Sequence, residues 1–392
     1  MHTLITIPTL CSCDGGPSRV VPAIADELSS NGIDVSIFFK KTSRENCHDI
    51  TPCNNNIELV HEITRFDYPI AGQFFRKREI IRQLSNLIFL PSNKIDIVHD
   101  HGLWSINNLA AYKFATKTKV PYVLSVHGML EEWSLNQKKI KKWLALELFQ
   151  RNILENASLL FANSEQEVLS IRRMQVNTPI ALIPNGINPR ASNSKFLLKN
   201  FDKTKKHVLF LSRVHPKKGL INFLNAWSVV RPKGWKFIIA GPDDNYIDTV
   251  LEGAKELNLL DEVEYIGNVS DEDKWNVYDL CDLFVLPTFS ENFGIVVAEA
   301  LSRGLPVMTT TGTPWSDLET CKCGWWVEPD VKSLSGALRL ATNLKREDYL
   351  MMKKNAINLA SNFDWPLIGK KILQSYLWVK GDVQKPEFID LE

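Results

Sequence analysis

Short apolar runs recur along this chain, each followed by a longer stretch whose apolar positions return at helical spacing. An unalternating apolar run marks a strand buried on both faces, and the longer period marks an amphipathic helix. In the first half the strand runs fall at 4–8, 34–39, 95–99, 122–126, 159–163 and 180–184. Helical stretches separate them at 19–30, 76–89, 107–116, 140–154 and 165–173. The second half repeats the pattern, with strand runs at 207–211, 235–240, 263–266, 283–286, 306–309 and 325–327 and helices such as 220–230 and 272–280 between them. Such alternation predicts parallel, doubly wound sheets of the α/β class. The polar stretch 188–206 has no apolar period and reads as a linker. The pattern therefore predicts one Rossmann-like domain over 1–188 and another over 189–364. A last helix follows over 365–379, with Ile368, Ile372, Tyr376 and Val379 at helical spacing.

Composition narrows the function classes. A chain of 392 residues suits two domains of ordinary size. Its 46 Lys and Arg against 45 Asp and Glu leave a net charge of +1, which argues against a dedicated nucleic-acid partner. The run 3–8 lacks a basic leader and reads as a first strand rather than a signal peptide, and no apolar stretch is long enough to span a bilayer. A cytoplasmic location is the expectation. The seven cysteines include two C-x-C pairs, Cys11 with Cys13 and Cys321 with Cys323, and Cys47, Cys53 and Cys281 are scattered. Neither pair has the partner pair of a zinc site, so reduced thiols are expected.

The richest chemistry lies after the run 283–286, in the stretch Ser290-Glu291-Asn292-Phe293-Gly294-Ile295 that leads to Glu299. A polar turn at the carboxyl end of a buried strand is where open α/β sheets bind ligands. The turn opens a helix whose free N–H groups favour an anion. Two glutamates beside such a helix start suit a ligand that carries both hydroxyls and phosphates, as a sugar nucleotide does. Arg213, Lys217, Lys218 and Gly219 follow the first strand of the second half. There a guanidinium forks onto phosphate oxygens and an ammonium adds a point charge. In the first half, Gly15 and Gly16 start the first helix and let backbone pass close to a ligand. His127 ends one strand run, while His99 and His101 end the one before it. Acceptor contact is an expectation for those two, without a metal site.

The E-x7-E spacing of Glu291 and Glu299 resembles the signature of family-4 retaining glycosyltransferases, and the resemblance covers nearly the whole chain. It implies the GT-B fold: two Rossmann-like, doubly wound parallel-sheet domains facing across a cleft, with the C-terminal segment 365–392 crossing back to the first domain. In that family the first glutamate holds the donor sugar's hydroxyls and the second the nucleotide ribose, roles that fall here to Glu291 and Glu299. Asn292, Phe293, Gly294 and Ile295 belong to the same donor site. The family's arginine and lysine grip the leaving diphosphate, matching Arg213 and Lys218, the lysine before the glycine being preferred over Lys217. The family's glycine loop matches Gly15 and Gly16, and its strand-end histidine, which touches the donor sugar, matches His127.

The resemblance implies transfer of a sugar, with retention, from a nucleotide-diphosphate sugar to a hydroxyl of a sugar or lipid-linked acceptor, as in surface polysaccharide synthesis. It implies no cofactor and no metal, since the basic groups and helix start neutralise the departing charge. Two other classes share the outline. A nucleotide-sugar epimerase would bind the donor but need acid/base partners and no acceptor, so release of nucleotide only with acceptor present points to transfer; a non-catalytic sugar-binding protein would turn over no donor. Lys138, Lys139, Lys141 and Lys142, interleaved with Trp133, Trp143 and Leu144, add a further expectation, peripheral contact with a membrane surface.

Overall fold

The computed structural model describes residues 1–11, 15–42, 48–61, 73–88, 94–189 and 204–391. Its strands, in chain order, are β1 (His2–Thr6), β2 (Asp34–Phe39), β3 (Glu58–His61), β4 (Ile97–His101), β5 (Tyr122–Ser125), β6 (Leu159–Ala162), β7 (Ile180–Leu182), β8 (Lys206–Leu211), β9 (Trp235–Ala240), β10 (Val263–Tyr265), β11 (Leu283–Leu286), β12 (Val307–Thr310), β13 (Gly324–Val327) and β14 (Ile389–Asp390). They form two sheets in two compact units, Met1–Gly186 with Trp365–Glu392, and Ile187–Asp364.

In the first unit the strand order is β14-β7-β6-β5-β4-β1-β2-β3, parallel except for β14, which pairs antiparallel with β7. The chain starts in the middle, at β1, and winds out to β3 before returning to β4. β1, β4 and β5 are buried at every residue. Apolar clusters cover both faces of the sheet, which is why these strands read as unbroken apolar runs rather than alternating ones. The helix Trp365–Lys380 returns to this unit, burying Ile368, Ile372 and Tyr376 in the same cluster as Val21, Ile24 and Leu28 of the helix Gly16–Ser30.

The second unit has the order β10-β9-β8-β11-β12-β13, all parallel. Counted from β8, this is the 3-2-1-4-5-6 order of a dinucleotide-binding fold, and its winding reverses between β8 and β11. Fully buried Phe210, Phe223, Trp227, Phe237 and Phe284 anchor its core. Each such side chain contributes about 1.5–3 kcal/mol relative to exposure.

Several expectations change. Ile187, read with the first domain, packs into the core of the second unit, and its amide donates to the Phe363 carbonyl at 2.8 Å. The short strands β3 and β14 have too little apolar character to stand out. The single helix expected over 140–154 is three segments, Lys139–Ala145, a π-helical turn Leu146–Gln150 and Arg151–Asn156. Of the expected linker, 190–203 lies outside the described residues, and β8 already begins at Lys206. The described cysteines, Cys11, Cys53, Cys281, Cys321 and Cys323, are free thiols; Cys13 and Cys47 lie outside the described residues. Among the described residues, no helix is long and apolar enough to cross a membrane.

Candidate functional site

In the second unit the site residues gather where the winding reverses. Arg213, Lys217 and Lys218 follow β8, and Glu291 follows β11, its neighbour in the sheet. The basic turn is tied to the end of β11. Phe289 N–H and the Thr288 hydroxyl both donate to the Lys217 carbonyl, at 2.9 and 3.1 Å. Gly219, at φ +69°, lies so close to this strand end that a Cβ would come within 2.0 Å of the Pro287 carbonyl oxygen. Only glycine meets both demands. The result sets the Lys218 ammonium directly against the Glu291 carboxylate in an ion pair that is 12% and 18% exposed.

Burial pulls Lys218 down to about 7, and repulsion from Lys217 and Arg213 adds to the pull. The Glu291 carboxylate counters it, and so would any anion placed among these three cations. Arg213 is different. Its side chain is 55% exposed and, among the described residues, pairs with Asp244 at 3.8 Å, which leaves its guanidinium open to a ligand.

Glu299 sits little more than one turn into the helix Ile295–Ser302. It is 5% exposed. Lys274 Nζ donates to its Oε1 at 2.6 Å and Tyr278 OH to its Oε2 at 3.0 Å. Two partners leave carboxylate lone pairs to spare for a diol. Gly294 caps this helix at φ +73°. Phe293 is core rather than contact surface: its ring packs on Trp315 and Phe363, and its carbonyl accepts from Trp315 Nε1 at 2.5 Å. At this position only the backbone is left for a ligand. Asn292 and Ile295 complete the turn, neither fully buried.

The sequence reading missed Lys274 and Tyr278. They lie four residues apart on the expected helix 272–280, so one face carries both. That spacing was a usable signal, but nothing local pointed it at Glu299.

The first unit brings a different set together, again beside its strand reversal, between β1 and β4. Gly15 precedes the helix Gly16–Ser30 after β1, and among the described residues neither glycine has a neighbour within 4 Å of where a side chain would project. Asp14 lies outside the described residues. Beside them in the sheet, Asp100 on β4 is fully buried. It accepts from Thr6 Oγ1 at 2.6 Å, Tyr122 OH at 2.6 Å, Asn108 Nδ2 at 2.8 Å and His101 N at 3.0 Å. Burial pushes its carboxyl up to about 6, and the hydrogen bonds hold it from going further.

His127 lies just past β5 at φ +56°, followed by Gly128 at +70°. A buried carboxylate, Glu167, fastens this left-handed pair by accepting from the Gly128 amide, and from Asn163 N at 2.7 Å. His127 Nε2 and His101 Nδ1 share a hydrogen bond at 2.9 Å. His101 Nε2 is buried with no partner among the described residues. An orphaned N–H is rarer than an orphaned acceptor. We therefore place the His101 proton on Nδ1, where it donates to His127 Nε2. His127 then carries its own proton on Nδ1, the nitrogen left for a ligand. Burial holds His127 down to about 4, so the ring is neutral.

His99 does not behave as expected. It is fully buried, with Nδ1 2.6 Å from Tyr376 OH and Nε2 2.8 Å from Ser125 Oγ. Both nitrogens are used inside the unit, so it braces the C-terminal helix rather than meeting an acceptor. Among the described residues, no group of three or more His, Cys, Asp or Glu could hold a metal ion.

The family model described as Glycosyltransferase Family 4 matches residues 14–191, and that described as Glycosyl transferases group 1 matches 195–359. The D-inositol 3-phosphate glycosyltransferase of Mycolicibacterium smegmatis is 24% identical over 402 residues, covering 94% of this chain and 87% of that protein. The sucrose-phosphate synthase of Thermosynechococcus elongatus superposes with a TM-score of 0.78 at 19% identity, over 98% of this chain and 100% of its own. Anabaena HepE, solved with UDP-glucose, superposes with a TM-score of 0.72 at 18% identity, over 96% of this chain and 99% of its own. These likenesses establish the fold. The two family models together take in both units, and the chain belongs to the group 1, family 4 glycosyltransferases of the GT-B fold.

Proposed function

We propose that this glycosyltransferase moves a sugar, with retention, from a nucleotide-diphosphate sugar to an acceptor hydroxyl. One observation carries the reading: Arg213, Lys218, Glu291 and Glu299 surround a single strand reversal in the second unit, with a helix start between the two glutamates. Cations and helix N–H groups there suit a diphosphate, and the carboxylates suit hydroxyls.

The Lys218–Glu291 pair serves as a placeholder in this reading. Without donor, the two charges neutralise each other. A donor diphosphate takes over the ammonium and supplies the counter-charge that Lys218 needs, which frees Glu291 to accept hydrogen bonds from the sugar. Glu299 accepts from the ribose hydroxyls, held for that task by Lys274 and Tyr278.

As the bond from the anomeric carbon to the phosphate oxygen breaks, negative charge grows on the leaving diphosphate. Arg213, Lys218 and the helix start at Gly294 and Ile295 stabilise it. Such preorganised donors carry much of an enzyme's rate enhancement. The sugar meanwhile gains oxocarbenium character. The acceptor oxygen attacks from the face the diphosphate leaves, and the acceptor proton passes to the leaving phosphate oxygen. In this scheme His127 offers a neutral hydrogen bond from Nδ1, with His101 setting its tautomer. Gly15 and Gly16 offer open backbone to the diphosphate. No cofactor or metal enters the scheme. A sugar on a lipid carrier or a growing surface polysaccharide is the acceptor class we favour.

The test is thermal stabilisation by a panel of nucleotide-diphosphate sugars, beginning with UDP-glucose because HepE was solved with it. A ligand that binds only the folded protein raises its melting temperature with concentration. One donor is expected to give a shift that disappears in both Arg213→Ala and Glu299→Ala, each judged against its own unliganded baseline. No shift with any donor, or shifts indifferent to both substitutions, would overturn the donor site.

A further inference from the structure

Sixteen large apolar side chains are exposed among the described residues, and five of them, Trp133, Ile140, Trp143, Leu144 and Leu148, fall within 133–148 of the first unit. That concentration is not the scatter expected of an ordinary surface. The helix Lys139–Ala145 gathers them. At about 100° per residue, Ile140, Trp143 and Leu144 share one face, and Lys139 and Lys141 fall about 100° to either side of Ile140. The π-helical turn Leu146–Gln150 then turns Leu146 and Gln150 inward and leaves Leu148 standing out at 77% exposure, against 75% for Ile140. Lys142 points elsewhere. Its ammonium donates to the Ser134 carbonyl at 2.6 Å and lies 5.7 Å from the Trp104 ring, which fastens the helix to the body of the unit.

On the helix Lys139–Ala145 the stripe is flanked by lysines, while exposed Glu132 and Glu147 lie at its two ends. Lys138, Lys139 and Lys141 are all exposed. Protruding, separate apolar side chains suit a surface that flows around them better than a preformed protein groove. Tryptophan and lysine beside an apolar face are the composition of helices that lie in a membrane interface, and a helix this short cannot span one.

We propose that residues 133–148 dock on the surface of an anionic lipid bilayer. The helix Lys139–Ala145 lies in the interface plane, Ile140, Trp143, Leu144 and Leu148 enter the acyl boundary, and Lys138, Lys139 and Lys141 meet lipid phosphates. Docking does not depend on the sugar-transfer reading, and it would carry the first unit to acceptors held in the bilayer.

The experiment is vesicle flotation of the full chain, without donor, on phosphatidylcholine vesicles with and without phosphatidylglycerol. The protein is expected to float with the anionic vesicles only. Each lysine near the surface is worth about fivefold in partition, so Lys139→Gln with Lys141→Gln should weaken binding more than tenfold. Leu148→Glu should abolish it while the melting temperature stays unchanged, since the residue is exposed. Failure to float with anionic vesicles, or flotation that both variants leave intact, overturns the proposal. So does a self-association that Leu148→Glu abolishes while vesicle binding stays absent, which would assign the stripe to a second copy or another protein.

Discussion

The two strand reversals of this protein handle buried polarity in opposite ways. In the first unit burial opposes charge at the titratable groups beside the reversal: His99, His101 and His127 are held below their ordinary range, and so are neutral, and the Asp100 carboxyl is held above its own. In the second unit they are ion pairs, Lys218 with Glu291 and Lys274 with Glu299. Neutral imidazoles bonded to one another and to their neighbours have little to gain from a charged ligand, so they act as a rigid frame. An ion pair can exchange a carboxylate for a phosphate at little cost, so it can open for a ligand. The contrast assigns positioning to the first unit and charge handling to the second.

The largest expected effect breaks the charged half. Lys218→Ala should lower acceptor-dependent release of nucleoside diphosphate by about 100- to 1000-fold, the usual loss for one oxyanion-type donor. A rate within about threefold of the parent would end the charge-handling role. The next effect concerns how the lysine is placed. Gly219→Ala forces a Cβ into the Pro287 carbonyl and strains a left-handed φ, and should cost about 3 kcal/mol in denaturant unfolding. Unchanged stability would mean that the turn is not held against β11.

A pH titration sharpens the neutral half. His127 lies at about 4 and His99 at about 3, so between pH 6.5 and those values the unfolded chain binds protons that the folded unit refuses. Stability should therefore fall as pH drops through this window. Asp100, raised to about 6, works the other way between about 6 and 3.8, where the folded carboxyl holds a proton that the unfolded one has lost. Histidines outnumber the carboxyl, and a net loss of roughly 2 kcal/mol by pH 4.5 is expected. His127 keeps some solvent contact, so its share is the smaller. His127→Gln should flatten the slope and Asp100→Asn should steepen it; identical slopes in all three proteins would remove the neutral frame.

The smallest expected effect separates function from stability within one half. Arg213→Ala should change unfolding free energy by no more than about 0.5 kcal/mol, because the side chain is largely exposed. Donor-dependent stabilisation should nevertheless disappear. A large stability loss would place Arg213 in the structural frame instead.

Much of this was legible in the chain. Unbroken apolar runs announced strands covered on both faces, and the residues after those runs had to lie at strand ends, which is why Arg213, Lys218, His127 and Glu291 could be named. His99 misled because a strand residue's position does not tell which side chain packs inward. Its partner, Tyr376, lies 277 residues away. The break of 140–154 into three segments was equally invisible, since a π-helical turn leaves the apolar spacing almost unchanged.

The sequence by itself determined the alternation of strands and helices, the doubly wound class, the glutamate spacing and the strand ends at which polar residues cluster, because each follows from local periodicity and backbone chemistry. Tertiary structure alone decided the strand order that makes β8 and β11 neighbours, and with it the pairing of Lys218 with Glu291, of Lys274 and Tyr278 with Glu299, and of His101 with His127. Those pairs join residues 73, 25, 21 and 26 positions apart. They form because burying both faces of a sheet brings distant strand ends together, and a buried charge or imidazole there must find whichever partner the strand order supplies.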